Sequence, residues 1–514
     1  MNYPNRLVLI FALALSGTLS ATESLPPLIA AVKRGDHATV HTLSRDRAAV
    51  NRPQADGTTA LHWAVQNNDV DMVDMLLRAG ADVSAANRYG IRPLTLAATN
   101  GSAAIVDALL KAGADPNSTT EAGEPVLMTA ARSGSVDAVK WLLAAGANVN
   151  AREAWFGENA LMWAAAENHA DVVRALVAGG AEINARSTVL DPPVLEFPRS
   201  GGPNSPFPRG GWTALMYAAR QGSLDAARAL VDLHADVNAV ALPQTDVPLK
   251  PEDRDAFAHG VGTTAMVYAI INVHFDLAAM LLEHGADPNI SDIAGMGALY
   301  AAVDMASLQW TQGRPAPILL DRVDGADLVT LILAKGANPN ARLTRAPLKR
   351  HHDAGTTLNF GPGATPLMRA ARTNDLAVMR MLLDAGANPY ATLPDGTTSL
   401  MVAAGLGYGG LRGEGIRIVI PTEEGAVDAV KMLLDRGVDI NAQNTAGNTA
   451  LHGAVGRGDT VVKLLADNGA YLDAKNVAGF TALDLALGQG GRGGRPGTVR
   501  ESTAALLRQL IAEK

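Results

Sequence analysis

The chain of 514 residues has no cysteine. Disulfides, thiol nucleophiles, cysteine-ligated zinc and a lipidated N-terminal cysteine are thereby excluded. Aromatic residues are few, at 4%. With 48% hydrophobic residues overall, the core must be built mainly from Ala, Leu and Val, which suits thin helices packed closely. An excess of positive charge is missing as well: the net charge is −8. A nucleic-acid surface needs a basic footprint, so nucleic acid is not an expected partner. After residue 15 no apolar run approaches the ~20 residues of a bilayer span, and no membrane span is expected once the leader is removed.

That leader is the first thing present. Arg6 precedes nine apolar residues, Leu7 to Leu15, followed by the small residues of Ser16-Gly17-Thr18-Leu19-Ser20-Ala21. This is the layout of a secretory signal, and it predicts a periplasmic or secreted protein. Cleavage after Ser20 places Thr18 at the −3 position, and cleavage after Ala21 places Leu19 there; both remain open.

Catalytic signatures are sparse. The sequence holds no H-E-x-x-H, G-x-S-x-G or G-x-x-x-x-G-K-[ST]. Gly405-Leu406-Gly407-Tyr408-Gly409-Gly410 matches G-x-G-x-x-G, but it follows the predicted helix Leu400 to Ala404 where a dinucleotide site needs a strand. It reads as a glycine-rich loop. Adjacent His351 and His352 with Asp353 do not readily share one metal geometry, and no second cluster stands near in sequence. With Arg342, Arg345, Lys349 and Arg350 they form a basic patch that suits an acidic partner surface. No cofactor and no metal are expected.

What dominates is repetition. Gly80-Ala81, Gly113-Ala114 and Gly146-Ala147 recur at steps of 33 residues, and Gly180-Ala181 follows one residue late. Between the marks stands Thr59-Ala60-Leu61-His62-Trp63-Ala64, and again Thr449-Ala450-Leu451-His452-Gly453-Ala454. Each unit reads as a hairpin-like turn and two helices. First helices are predicted from Thr59, Arg92, Pro125 and Asn159. Second helices carry apolar residues at i, i+3 and i+4 and end near glycine.

These residues resemble the ankyrin-repeat family over nearly the whole chain. The resemblance implies a mainly α fold, an α-solenoid of helix–turn–helix units with projecting finger loops and terminal caps. It implies that His62 and His452 bond the turns of adjacent repeats. It also implies a scaffold that binds another protein or peptide through its concave face and fingers, such as an accessory partner of a periplasmic enzyme. Two other readings stay open: an active site assembled from inserted loops, or a glycan or small-molecule binder.

Residues 1–21 are assigned to the signal, 22–53 to an N-terminal capping repeat and 54–187 to four regular repeats. From 188 to 443 the marks are spaced near 50 residues, which places insertions at about 188–210, 242–261, 304–325, 343–362 and 405–425. A regular repeat returns at 444–475, and 476–514 form the C-terminal cap. Finger tips should expose Tyr89, Trp155, Phe156, Trp212 and Phe480. Arg132, Arg220, Arg372 and Glu167, at first-helix ends, should recur along the same groove. Together they form the expected partner-binding strip, because Trp, Tyr and Arg dominate interface hot spots. Trp63, Trp163, Tyr217 and Tyr268 are expected in the core.

Overall fold

The apolar residues of nearly every segment recur at helical spacing, and the chain folds accordingly. The computed structural model describes residues 25–188, 210–241, 261–306, 321–345, 360–407, 422–490 and 497–513. Among these residues the regular elements are helices, with isolated β-bridges at the turns. None of these helices is long and apolar enough to cross a membrane.

The helices come in pairs. The regular pairs are Ala60–Gln66 with Val70–Arg78, Pro93–Thr99 with Ala103–Lys111, Val126–Ser133 with Val136–Ala144, and Ala160–Ala166 with Ala170–Ala178. Thr59, Arg92, Pro125 and Asn159 are their N-cap residues, and Pro93 takes the first helical position, where its missing N–H costs nothing. The Gly-Ala marks are the stops. Gly80 (φ 87°) donates its N–H to the Leu77 carbonyl, and Ala81 donates to Leu76. This Schellman geometry needs a left-handed residue, and Gly113 and Gly146 repeat it.

The described residues divide into two compact units. One comprises those up to Thr188 with Trp212–Ala218 and Ser223–Ala235; the other comprises Gly210, Gly211, Ala219–Gly222 and those from Asp236 onward. In the first, Leu61, Ala64, Met72, Val73 and Leu76 are at most 1% exposed, and each later repeat supplies its equivalents. Each such Leu or Val contributes about 2 kcal/mol by leaving water. In the second, pairs run from Ala265–Ile271 with Phe275–Glu283 to Ala482–Ala486 with Glu501–Ala512. Two pairs are split by a long segment: Ala298–Ala306 from Gly325–Ala334, and Ser399–Ala403 from Glu423–Leu434. The segment expected to be a signal (1–21), most of each of the five insertions (189–209, 242–260, 307–320, 346–359 and 408–421) and His351-His352-Asp353 lie outside the described residues.

Polar clips tie neighbouring repeats within each unit. The Asn51 amide donates to the Gly80 carbonyl (3.0 Å) and accepts the Asp82 N–H (2.8 Å). Asn117 and Asn150 repeat this in the first unit, and Asn238, Asn289, Asn340 and Asn441 in the second. His62 Nδ1 accepts the Thr59 N–H (3.2 Å) and Nε2 donates to the Ile91 carbonyl of the next repeat (3.0 Å). His452 does the same between Thr449 and Phe480. Burial pulls both imidazoles below the usual histidine range, which keeps them in the neutral tautomer that this geometry uses.

Candidate protein-interaction surface

In the first unit, the side formed by the first helices carries aromatic rings capped by charged groups. Trp63, Trp163 and Tyr217 occupy one register, the fourth position from the helix start. They are half-buried, whereas the core was expected. Lys33 Nζ sits 4.1 Å from the Trp63 ring centre, and the Trp63 indole donates to Gln54 Oε1 (3.3 Å). The Arg132 guanidinium lies 5.0 Å from the Trp163 ring and pairs with Glu124 at 3.1 Å. The Tyr217 hydroxyl donates to Glu158 (2.7 Å), and its ring meets Trp212 edge to face at 5.4 Å. Such cation–π contacts contribute about 0.5–1 kcal/mol each and fix the rings in place. Tyr268, in the second unit, is buried as expected, at 6% exposure.

The finger tips stand out from this side. Tyr89 is exposed, with Arg88 over its ring at 4.9 Å. Trp155 and Phe156 are 67% and 39% exposed. Behind them the buried Glu153 carboxylate accepts the N–H groups of Trp155 (2.6 Å), Phe156 (2.7 Å) and Glu158 (2.9 Å). Glu167 is exposed at the C-cap of its helix. Trp212 is half-buried and joined to Ser187 through its backbone.

The second unit is different. Of its residues in the same register, Tyr268, Ala301, Arg369 and Val402 are at most 6% exposed and Gly453 is buried, while Leu485 is half-buried. Arg369 Nε binds Asp304 at 2.5 Å. Arg372, expected on the partner-binding strip, is 4% exposed and so cannot meet a partner. Its guanidinium donates to the carbonyls of Leu406 (3.2 Å) and Gly407 (3.1 Å) and lies 5.6 Å from the Phe360 ring. Leu406 also covers Gly453, where an added Cβ would sit 2.6 Å from the Leu406 nitrogen. The start of the fifth insertion thus lies on the surface that the repeats leave open elsewhere. Arg220 is half-buried, and its backbone bonds to His274. Phe480 is half-buried against Gly490.

The expected strip therefore divides: Tyr89, Arg132, Trp155, Phe156, Glu167 and Trp212 belong to the first unit, and Arg220, Arg372 and Phe480 to the second. Sequence reasoning missed Trp63, Trp163 and Tyr217 as surface residues. The register itself gave no consistent signal, since it also holds Thr129, Arg369 and Gly453, which are buried. It missed Glu153, whose role depends on three backbone amides.

Stacked helix pairs with projecting fingers define an α-solenoid whose working part is a surface. A profile for ankyrin repeats in three copies matches residues 9–87, 28–120, 94–187 and 418–498, and one for a single ankyrin repeat matches 210–241, 261–293 and 363–392. These spans cover more than half of the chain, which belongs to the ankyrin-repeat family. Over 230 residues it is 30% identical to a probable E3 ubiquitin-protein ligase, XBOS33, of Oryza sativa subsp. japonica; the match covers 42% of this chain and 38% of that protein. The chain thus spans less than half the length of this relative. Its repeats make it a protein–protein interaction scaffold.

Proposed function

We propose that this chain is an exported scaffold that holds a protein partner on the finger and first-helix side of its first unit. The exposed aromatic tip Trp155-Phe156 carries this reading, because a pair of large apolar side chains stands in water on a backbone tied down from behind. The cation-capped rings of Trp63 and Trp163 extend the same side. A preformed surface loses little entropy on association. Arg6, the apolar run Leu7 to Leu15 and the small residues after it support export. The partner proposed is an enzyme of that compartment, for which the chain acts as an accessory.

Trp155→Ala with Phe156→Ala is expected to leave circular dichroism and the thermal midpoint unchanged, since both side chains are exposed. Affinity for the partner recovered from the exported fraction should weaken by more than ~2 kcal/mol, the scale of interface hot spots. An unchanged titration removes this surface from the reading.

A further inference from the structure

The fourth finger is built differently from its neighbours, and the difference begins in the sequence. Asn117 to Gly123 is a step of six residues, whereas the equivalent Asn150 to Gly157 is a step of seven. This is the residue that delays Gly180. In three of the shorter fingers one Asn side chain, Asn87, Asn444 or Asn476, spans the turn. Asn87 Oδ1 accepts the N–H groups of Tyr89 and Ile91, both at 3.0 Å. Asn476 accepts those of Ala478 (3.1 Å) and Phe480 (3.0 Å). In the fourth finger Glu153 takes that place, and its longer side chain reaches one residue further, to Glu158. The extra methylene compensates for the extra residue. Hydrogen bonds to an ionised acceptor are roughly twice as strong as neutral ones, and Glu153 makes three. The Phe156 carbonyl also accepts the Thr188 N–H (2.7 Å).

Resting on the function proposed above, we infer that this finger is a preformed aromatic prong that enters an apolar recess in a folded partner, with Glu153 as its positioning residue. The polar chemistry of the finger selects that occupant. Among the described residues Glu153 accepts only from backbone N–H groups of its own finger, and Arg152 donates to the Gly157 and Arg186 carbonyls. The tip therefore offers hydrocarbon and one indole N–H, too little to satisfy the hydroxyls of a sugar. An extended peptide needs a groove to lie in, and a projecting knob needs a socket. Aromatic anchors on a rigid backbone lose few rotamers on burial.

The test uses the full chain in its exported fraction. A benzophenone amino acid in place of Trp155 should cross-link to apolar residues lining a recess of one folded protein. Adducts with polysaccharide, with a second copy of this chain or with an unstructured peptide overturn the inference, as does the absence of any adduct. Two variants examine Glu153: Glu153→Gln at unchanged loop length, and Glu153→Asn with Ala154 deleted, which restores the finger of the second repeat. Both should speed amide exchange at Trp155 or Phe156, or displace the tip, and weaken partner binding about tenfold or more with the thermal midpoint retained. Full affinity in both, alongside the loss in Trp155→Ala with Phe156→Ala, sinks the prong and leaves the interaction surface. Full affinity in all three sinks both.

Discussion

Asp292 shows how one atom changes the balance at a turn. Its Oδ1 accepts the N–H groups of Ala294 (2.9 Å) and Met296 (2.8 Å), as Asn87, Asn444 and Asn476 do in their fingers. Among the described residues its other oxygen is buried without a hydrogen-bond partner, and so is the Thr263 hydroxyl of the preceding repeat. Burial pushes the Asp292 carboxyl from 3.8 up to about 6, against the pull of those amides and of Arg345. A raised folded-state value means that the folded chain resists ionisation. The stability from this group is complete below the unfolded value and is lost as pH rises through about 6. In the equivalent place the Asn444 amide donates to the Thr397 hydroxyl (3.1 Å). Asp292→Asn should therefore stabilise the chain at pH 7 by about 1–2 kcal/mol, and the gain should vanish near pH 4. Melting at both pH values checks it; a loss at neutral pH would refute the account.

At the scale of elements, glycines between and after helices carry distinct demands. Gly134 closes Val126–Ser133 at φ 78°, and the His169 ring of the next repeat packs where a Cβ would stand, 2.6 Å away. That ring bonds the Arg132 carbonyl at 3.1 Å. Gly113, at φ 96°, has nothing within 4 Å of the same position. Gly113→Ala should then cost only the backbone term, about 1 kcal/mol, whereas Gly134→Ala should cost about 1–2 kcal/mol more. Denaturant unfolding of the pair separates the two; equal losses would show that the ring moves aside without cost. The helix starts at Thr59, Arg92, Pro125 and Asn159 were legible because caps and turns are settled within three or four residues. The packing of His169 on Gly134 was not, because its partners are 35 positions apart.

For the whole molecule, the proposed function makes two separable claims: an export address in the first residues and a partner surface on the first unit. Export predicts a mature chain beginning at Ala21 or Thr22. Mass spectrometry of the protein recovered from the native cell's exported fraction checks this, and an intact Leu7 to Leu15 run on cytoplasmic protein would overturn it. The first-helix register shows how legibility ended. Trp63 and Trp163 were assigned to the core from their place in the T-x-L-H register, yet each is only half-buried and lies beside a cation. Arg372 was assigned to the open groove, yet Leu406 and Gly407 accept its hydrogen bonds.

Period, caps and the alternation of helix and turn are encoded in contacts a few residues long, so amino-acid order alone settled the repeat architecture. Which stretch of the repeated surface stays open was settled in space. It depends on pairs such as Arg369 with Asp304 and Trp63 with Lys33, brought together by stacking and by the return of inserted chain. Burial is a property of everything within van der Waals reach, and a linear pattern of residue types does not carry it.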